Sequence, residues 1–239
     1  LGAKLALFSR LNRQGLLEEI EKRQAQLAAL PGEQQEVAQR LRALTQQLSS
    51  LSLSAEQREQ LKDRQEKLER ELYQLLPTLK PRVVEVADVA AVVPRDGALI
   101  EFQRYYPHDG SKDFGNRWSD ARYLAMVLRK DQSIEVVDLG LAEPVEEKIE
   151  QALVASESRD PDAALLWQQV GDLVMTPLGQ ALTGVQTLVV SPDGELNRMP
   201  FAALPAPEGE GLLADRYQLR LVTTGRELLD LQKRWLKKI

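Results

Sequence analysis

The side chains able to carry covalent or metal chemistry are few. The 239 residues contain no cysteine, and His108 is the only histidine. A histidine works as a base when a nucleophile lies within hydrogen-bond reach and a third group orients the ring. Around His108 the loop Pro107-His-Asp-Gly-Ser-Lys-Asp-Phe-Gly-Asn116 supplies no such partner. The expected state is therefore a solvated loop histidine. A metal site needs several ligands of the right type, and the acidic pairs, Asp113 with Asp120 and Glu146 with Glu147, show no ligand spacing. Ser191 lacks both a Gly-x-Ser-x-Gly elbow and a base. Neither Gly-x-x-x-x-Gly-Lys nor Gly-x-Gly-x-x-Gly is present to cradle a phosphate. No catalytic, cofactor-binding or metal-ligating residue, and no cofactor, is expected within these residues.

Ser191 nevertheless sits in the stretch that organises the chain, Thr187-Leu-Val-Val-Ser-Pro-Asp-Gly-Glu-Leu-Asn-Arg-Met-Pro-Phe-Ala-Ala-Leu-Pro205. Leu188, Val189 and Val190 read as a strand buried on both faces. Pro192 stops it, and Asp193-Gly194 supplies a turn whose glycine can take positive φ. Leu196, Met199, Phe201 and Leu204 follow as apolar anchors, and Pro200 keeps Met199 extended. A buried strand, a rigid turn and an apolar return segment predict a packing centre.

The elements around this centre are read from periodicity. Before Pro31, Leu16, Leu17, Ile20, Leu27 and Leu30 form an apolar stripe, and residues 1–12 look like the tail of an earlier helix. Val37, Leu41, Leu44, Leu48 and Leu51 recur at spacings of four, three, four and three, a heptad seam. Ser54 and Gln57 form a capping box for a third helix carrying Leu61, Leu68, Leu72, Leu75 and Leu76, with Gln65 interrupting its seam. Residues 1–80 are thus expected to be a coiled-coil-like antiparallel hairpin or bundle bent at Leu51-Ser-Leu-Ser54. A structural spacer is the plainer role for it, and a docking surface for a partner the alternative.

Residues 81–142 predict a helical turn around Val86, Val89 and Val92, then strands at Ala98–Tyr106, Arg122–Arg129 and Ile134–Leu139 joined as an antiparallel meander. In the first strand, Ile100, Phe102 and Arg104 share one face and Glu101, Gln103 and Tyr105 the other. From residue 143 the pattern turns to α/β. A helix opens near Pro144 and runs through Ile149 and Leu153. A second, Ala163–Met175, carries Leu165, Leu166, Val170, Leu173 and Val174 on its apolar face, with Trp167 at the edge. Then come the Leu188–Val190 strand, a strand at Tyr217–Thr223, and a helix with Thr224 as N-cap. Lys233, Arg234, Lys237 and Lys238 suit a helix C-terminus, where cations complement the dipole. The expected fold is α/β: an N-terminal antiparallel helical hairpin or bundle over 1–80, a small antiparallel sheet over 81–142, and an α/β core opening at 143–239.

Composition narrows the function classes. Hydrophobic content of 43% is enough to fill a core. A net charge of −5 with signs intermixed and only 5% aromatic residues argues against a nucleic-acid surface. No apolar run of about 18 residues predicts a membrane span. The absence of cysteine fits a reducing compartment. The chain opens Leu1-Gly2-Ala3-Lys4, without an initiator methionine, which suggests a piece of something longer.

Four segments in order resemble the CHAT domain, the caspase-like peptidase module often found behind TPR repeats in bacteria. They are Ala98-Leu-Ile-Glu-Phe102, Arg117-Trp118 with Ala121-Arg-Tyr123, Pro192-Asp-Gly194 behind its strand, and Pro200-Phe-Ala-Ala-Leu204. The resemblance runs over roughly residues 13–231, with the paired threonine and glycine of Thr224-Gly225 opening the last helix as the family's strand-to-helix unit does. It implies the start of a caspase-like α/β/α sandwich. It implies a cytoplasmic cysteine endopeptidase acting in signalling or development, with protein substrates or regulators as partners, an upstream TPR region and a downstream remainder of the domain. A caspase-like enzyme pairs a cysteine thiolate with a histidine, and by the resemblance both lie on later strands, outside these residues. Arg117, Trp118 and Tyr123 are expected to join the small sheet to the core. The alternative is a non-catalytic scaffold using the helical hairpin to bind a protein.

Overall fold

The computed structural model describes residues 2–13, 33–48, 60–61, 64–65, 67–68, 70–71, 83–113, 117–206 and 211–236. The chain divides into two compact units, residues 15–83 and residues 1–14 together with 84–239.

In the first of these, α2 (Glu33–Leu48) buries Val37 and Leu41, while Glu36, Gln39 and Arg40 face water. That is the heptad seam over its described part. Residues 60–61, 64–65, 67–68 and 70–71 are helical, with Leu61, Gln65 and Leu68 less exposed than their neighbours. Gln65 thus takes a seam position although it is polar. The capping box at Ser54–Gln57, the bend at Leu51–Ser54 and the stripe before Pro31 lie outside the described residues.

The second unit is built on one sheet. Its strands are β1 (Gly97–Tyr105), β2 (Arg122–Arg129), β3 (Ile134–Leu141), β4 (Thr187–Ser191) and β5 (Gln218–Leu221). The order is β3-β2-β1-β4-β5. The antiparallel meander is present, with Ala98 opposite Arg129 and Tyr105 opposite Arg122. It does not form a separate small sheet. β1 also pairs in parallel with β4, Gly97 beside Thr187 and Glu101 beside Ser191, and β4 pairs in parallel with β5. Strands from 81–142 and from 143–239 therefore interlock, and β1 is a central strand.

Centrality explains its residues. Ala98, Ile100 and Phe102 bury into one apolar layer with Tyr123, Ala125, Val127, Leu188 and Val190. Leu99 enters the opposite layer with Met126, Leu128 and Val189. The first layer is closed by α4 (Ala142–Glu157) and α5 (Ala163–Val174), which bury Val145, Ile149, Ala152, Val170 and Val174. Trp167 Nε1 donates to Ser156 Oγ at 2.9 Å, tying these two helices at their rim. The second layer is closed by α1 (Gly2–Arg13), α3 (Val86–Val92) and α7 (Arg226–Leu236), through Leu7, Leu11, Val86, Val89, Ala90 and Leu228. The unit is an α/β/α sandwich. Because both faces are covered, β4 reads as an unbroken apolar run. Residues 2–13 are a layer of this sandwich.

The return segment after β4 is two short 3-10 turns, Gly194–Arg198 and Phe201–Ala203. Met199 between them is extended, at φ −78° and ψ 134°, as the following proline requires. Phe201 is buried, and its ring lies 5.9 Å from that of Phe102.

Candidate functional site

Parallel pairing places the carboxyl ends of β1, β4 and β5 on one edge of the sheet, the edge where open α/β sheets commonly carry their sites. The polar residues of this chain converge there. Glu101, midway along β1, has no exposed surface. A buried carboxylate is tolerated only when paired and hydrogen-bonded. Arg10 of α1 supplies the pair, Nε donating to Glu101 Oε2 at 2.8 Å. Glu101 Oε1 accepts from Gly225 N at 2.6 Å and from Thr224 Oγ1 at 3.1 Å. Thr224 is not the N-cap of α7, since the helix begins at Arg226 and the residue before it is Gly225; its hydroxyl donates to Glu101 instead. Glu227 does the capping instead, accepting from Thr223 N at 2.9 Å.

The rest of the Arg10 guanidinium reaches the end of β4. It donates to Ser191 Oγ at 3.3 Å and to the Pro192 carbonyl at 3.2 Å, and lies 3.3 Å from Asp193 Oδ2. Ser191 Oγ donates to the Thr223 carbonyl at 2.8 Å. With that proton bonded to a carbonyl and a cation at its lone pair, Ser191 has no base and is no nucleophile. Its position is structural.

Asp193 and Gly194 of the turn have separate tasks. Asp193 Oδ2 accepts the Arg104 backbone N–H at 2.8 Å, stapling the turn to β1. Gly194 takes φ +55°, and a Cβ there would lie 2.5 Å from Tyr123 Oη. No side chain fits. The Tyr123 hydroxyl donates to Glu146 Oε1 at 3.0 Å and accepts from Glu195 N at 3.1 Å. Burial, and then the charged acceptor Glu146, push its pKa up. Glu146 is also held by Arg104, Nε to Oε1 at 2.7 Å. Its hydrogen bond from Arg104 is the main reason its carboxyl sits below the usual range, with the Tyr123 hydroxyl assisting.

Tyr123 thus joins sheet, helix and turn as the sequence suggested, whereas Trp118 lies outside the core. Trp118 is 65% exposed and meets His108 edge-on, with ring centroids 4.6 Å apart and the two residues forming an isolated bridge. Arg117 Nε donates to the Lys112 carbonyl within the same loop. His108 is exposed, as expected of a solvated loop residue, and its ring partner is Trp118. Among the described residues, no group of three His, Cys, Asp or Glu side chains is placed to hold a metal ion. A cleft of about 300 Å³ lined by Val127, Arg129, Ser133, Ile134, Glu135 and Ala181 opens at the other end of the sheet. Arg129 is engaged there by the Ala181 and Thr183 carbonyls.

The arrangement holds a strand end, a turn and a helix start in fixed relation, and contains no acid–base pair poised for catalysis among the described residues. Sequence reading missed Arg10, taking residues 1–12 for the tail of a separate helix. One signal was present. Glu101 is a lone charge inside Leu99-Ile-Glu-Phe102, and a charge in a buried strand demands a cation from elsewhere.

The stretch from α5 to α7, which contains β4, the Pro192-Asp-Gly194 turn and β5, is the part with a known counterpart. The family model of the CHAT domain matches residues 164–238. Over these residues the chain is similar to a protease-related module. The Ala98–Phe102 and Arg117–Tyr123 segments lie before the matched range, yet β1 and β2 share the sheet with it. No curated protein matches the chain. Among the described residues, no helix is long and apolar enough to cross a membrane.

Proposed function

We propose that these residues are the N-terminal portion of a bacterial CHAT-domain, caspase-like cysteine endopeptidase. In this reading it acts on protein substrates in cytoplasmic signalling or development. The observation that carries the proposal is the CHAT match over residues 164–238, falling on a strand–turn–strand unit at the carboxyl edge of the parallel part of a mixed sheet. The 239 residues contain no cysteine, so the thiolate and its activating histidine come from polypeptide outside them. The contribution of the present residues is positional. β4 and β5 form the seat on which later strands are laid, and the hub around Arg10 and Glu101 fixes the ends of those strands. An upstream TPR region would join the sandwich at α1, and the coiled-coil-like residues 15–83, which leave that unit after α1 and return at Val84, would serve as a docking surface for regulators.

The test uses the full-length parent with fluorescein-labelled casein as substrate. Cleavage that is abolished by thiol alkylation, and by replacing one cysteine outside these residues, supports the reading. Cleavage indifferent to alkylation, or no cleavage together with a stable protein complex formed through residues 15–83, overturns it in favour of a non-catalytic scaffold.

A further inference from the structure

The first helix of the sandwich is held by an unusual set of contacts, and they reach three places that the chain visits far apart in sequence. Its apolar residues, Leu7 and Leu11, pack on the sheet as any layer helix would. Between them Arg10, with only 4% of its side chain exposed, enters the core as a cation. Its hydrogen bonds end on β1 at Glu101, on the end of β4 at Ser191, and on the turn at Pro192, with Asp193 3.3 Å away. Through Glu101 the chain of bonds continues to Thr224 and Gly225, where α7 begins. Gly225 is pressed close, because a Cβ on it would meet Leu99, Glu101 and Val89. Two residues beyond Arg10, Asn12 closes the point where the chain leaves this unit and returns. Its Nδ2 donates to the Val84 carbonyl at 2.9 Å and its Oδ1 accepts from Val84 N at 2.8 Å.

We infer that α1 is a two-state latch: docking of Arg10 on Glu101 and Asp193 is what orders the Pro192–Glu195 turn and the start of α7 together. The physical reason is that Arg10 has no stable half-withdrawn position. If α1 lifts, Glu101, which has no exposed surface in the docked state, loses the one cation paired with it among the described residues, and a buried charge stripped of its partner is strongly disfavoured. Glu101 must then move toward water or take a proton. Either response releases the Gly225 N–H and the Thr224 hydroxyl. Asp193 loses its cation in the same event and the Pro192 carbonyl loses its donor. The β4–β5 ladder and the Ser191–Thr223 bond bring the turn and the helix start side by side, and the guanidinium and carboxylate add the link that α1 controls. Two packed arrangements separated by a charge-burial barrier are the kind of element that behaves as a switch. The inference needs no peptidase step and stands whether or not the proposed function does.

Native-state hydrogen exchange on the whole chain reads this directly, because amides that open in one cooperative event share one opening free energy. The expected result is a common value for Leu11, Leu196 and Gly225, lower than that of Ala125–Leu128 in β2. Leu7→Ala then separates the latch from simple packing, since it loosens α1 without touching any polar atom of the hub. It should speed exchange at Leu196 and Gly225 by the same factor as at Leu11, roughly tenfold or more, with β2 changed less. Arg10→Met should do the same, and Arg10→Lys should restore only part of the protection, because an ammonium cannot span both carboxylates as the planar fork does. If Leu7→Ala speeds exchange in α1 alone, or if Leu11 opens at a different energy from Leu196 and Gly225 in the unaltered chain, the latch is overturned and α1 is only a covering helix. Should Arg10→Met fail to fold, the unaltered chain and Leu7→Ala still decide the matter.

Discussion

Replacing Gly194 by alanine should cost more than its backbone conformation explains, and the excess should vanish when the Tyr123 hydroxyl is removed. Gly194 sits at φ +55°, and a Cβ there would be 2.5 Å from Tyr123 Oη and 3.1 Å from Arg104 Cδ. Holding a non-glycine residue in that left-handed conformation costs about 1–2 kcal/mol. The added methyl must also displace the hydroxyl from its bonds to Glu146 and Glu195. One of those bonds is to a charged group, so their loss adds about 2–3 kcal/mol. The expected destabilisation by Gly194→Ala is therefore about 3–5 kcal/mol, a large share of the ~5–15 kcal/mol typical of a domain. Tyr123→Phe alone removes the same bonds without strain and should cost about 2–3 kcal/mol. In the Tyr123→Phe background the contact at 2.5 Å is gone, leaving the flexible Arg104 Cδ at 3.1 Å and the ring carbon Cζ at 3.4 Å, and Gly194→Ala should then cost little beyond its backbone term of about 1–2 kcal/mol. Equilibrium urea unfolding of the four proteins gives the cycle. A coupling of about 2 kcal/mol, with the double variant less destabilised than the sum, is the expected result. Additivity within ~0.5 kcal/mol would refute the claim that the turn needs glycine because of Tyr123.

Phe201→Ala should lower stability by about 3–5 kcal/mol, since Phe201 is 2% exposed and packed on Phe102; a loss well under that in urea unfolding would show that the return segment is not anchored there. Glu146→Gln should flatten the acid limb of the stability profile. The folded carboxyl of Glu146 is depressed chiefly by its hydrogen bond from Arg104, so its contribution is present above the unfolded carboxyl value of about 4.3 and is lost as pH falls below it. Stability curves of the two proteins should converge below that pH and diverge above it. Parallel curves from pH 2 to 7 would show that the Arg104–Glu146 contact contributes nothing. Asn12→Ala should cost about 1–3 kcal/mol and expose the Val84 amide to exchange, because both of its bonds to Val84 end on backbone groups that then lack partners. An unchanged Val84 exchange rate would place the closure elsewhere.

The parts of the fold legible in the sequence were those with a local cause. Pro192, Gly194 and Pro200 each restrict the backbone by themselves, and the turn, the extended Met199 and the 3-10 return follow. The apolar run of β4 announced its burial on both faces, and Ile149 and Leu153 marked α4, of which Ile149 is fully buried and Leu153 only partly. What stayed hidden depends on residues distant in sequence. Parallel pairing of β1 with β4 spans some 90 positions, and the meander taken alone gives no sign of it. The same distance hid the role of Arg10, because α1 read by itself is a short helix with mixed surface. Thr224 was misassigned because its type suits an N-cap and its actual acceptor, Glu101, comes from another strand. Trp118 carried a family resemblance but makes no packing contact with the core, and its exposure is visible only in three dimensions.

In the function proposed above, residues 164–238 are part of a caspase-like peptidase whose nucleophile lies outside the present 239 residues, which contain no cysteine. Intact mass of the native parent, with peptide mapping to locate this chain within it, tests that claim most directly. The account predicts a polypeptide heavier than 26.9 kDa that continues past Ile239 and contains both a cysteine and a further histidine. A parent of 26.9 kDa, identical to this chain, would contradict it and leave partner binding as the function.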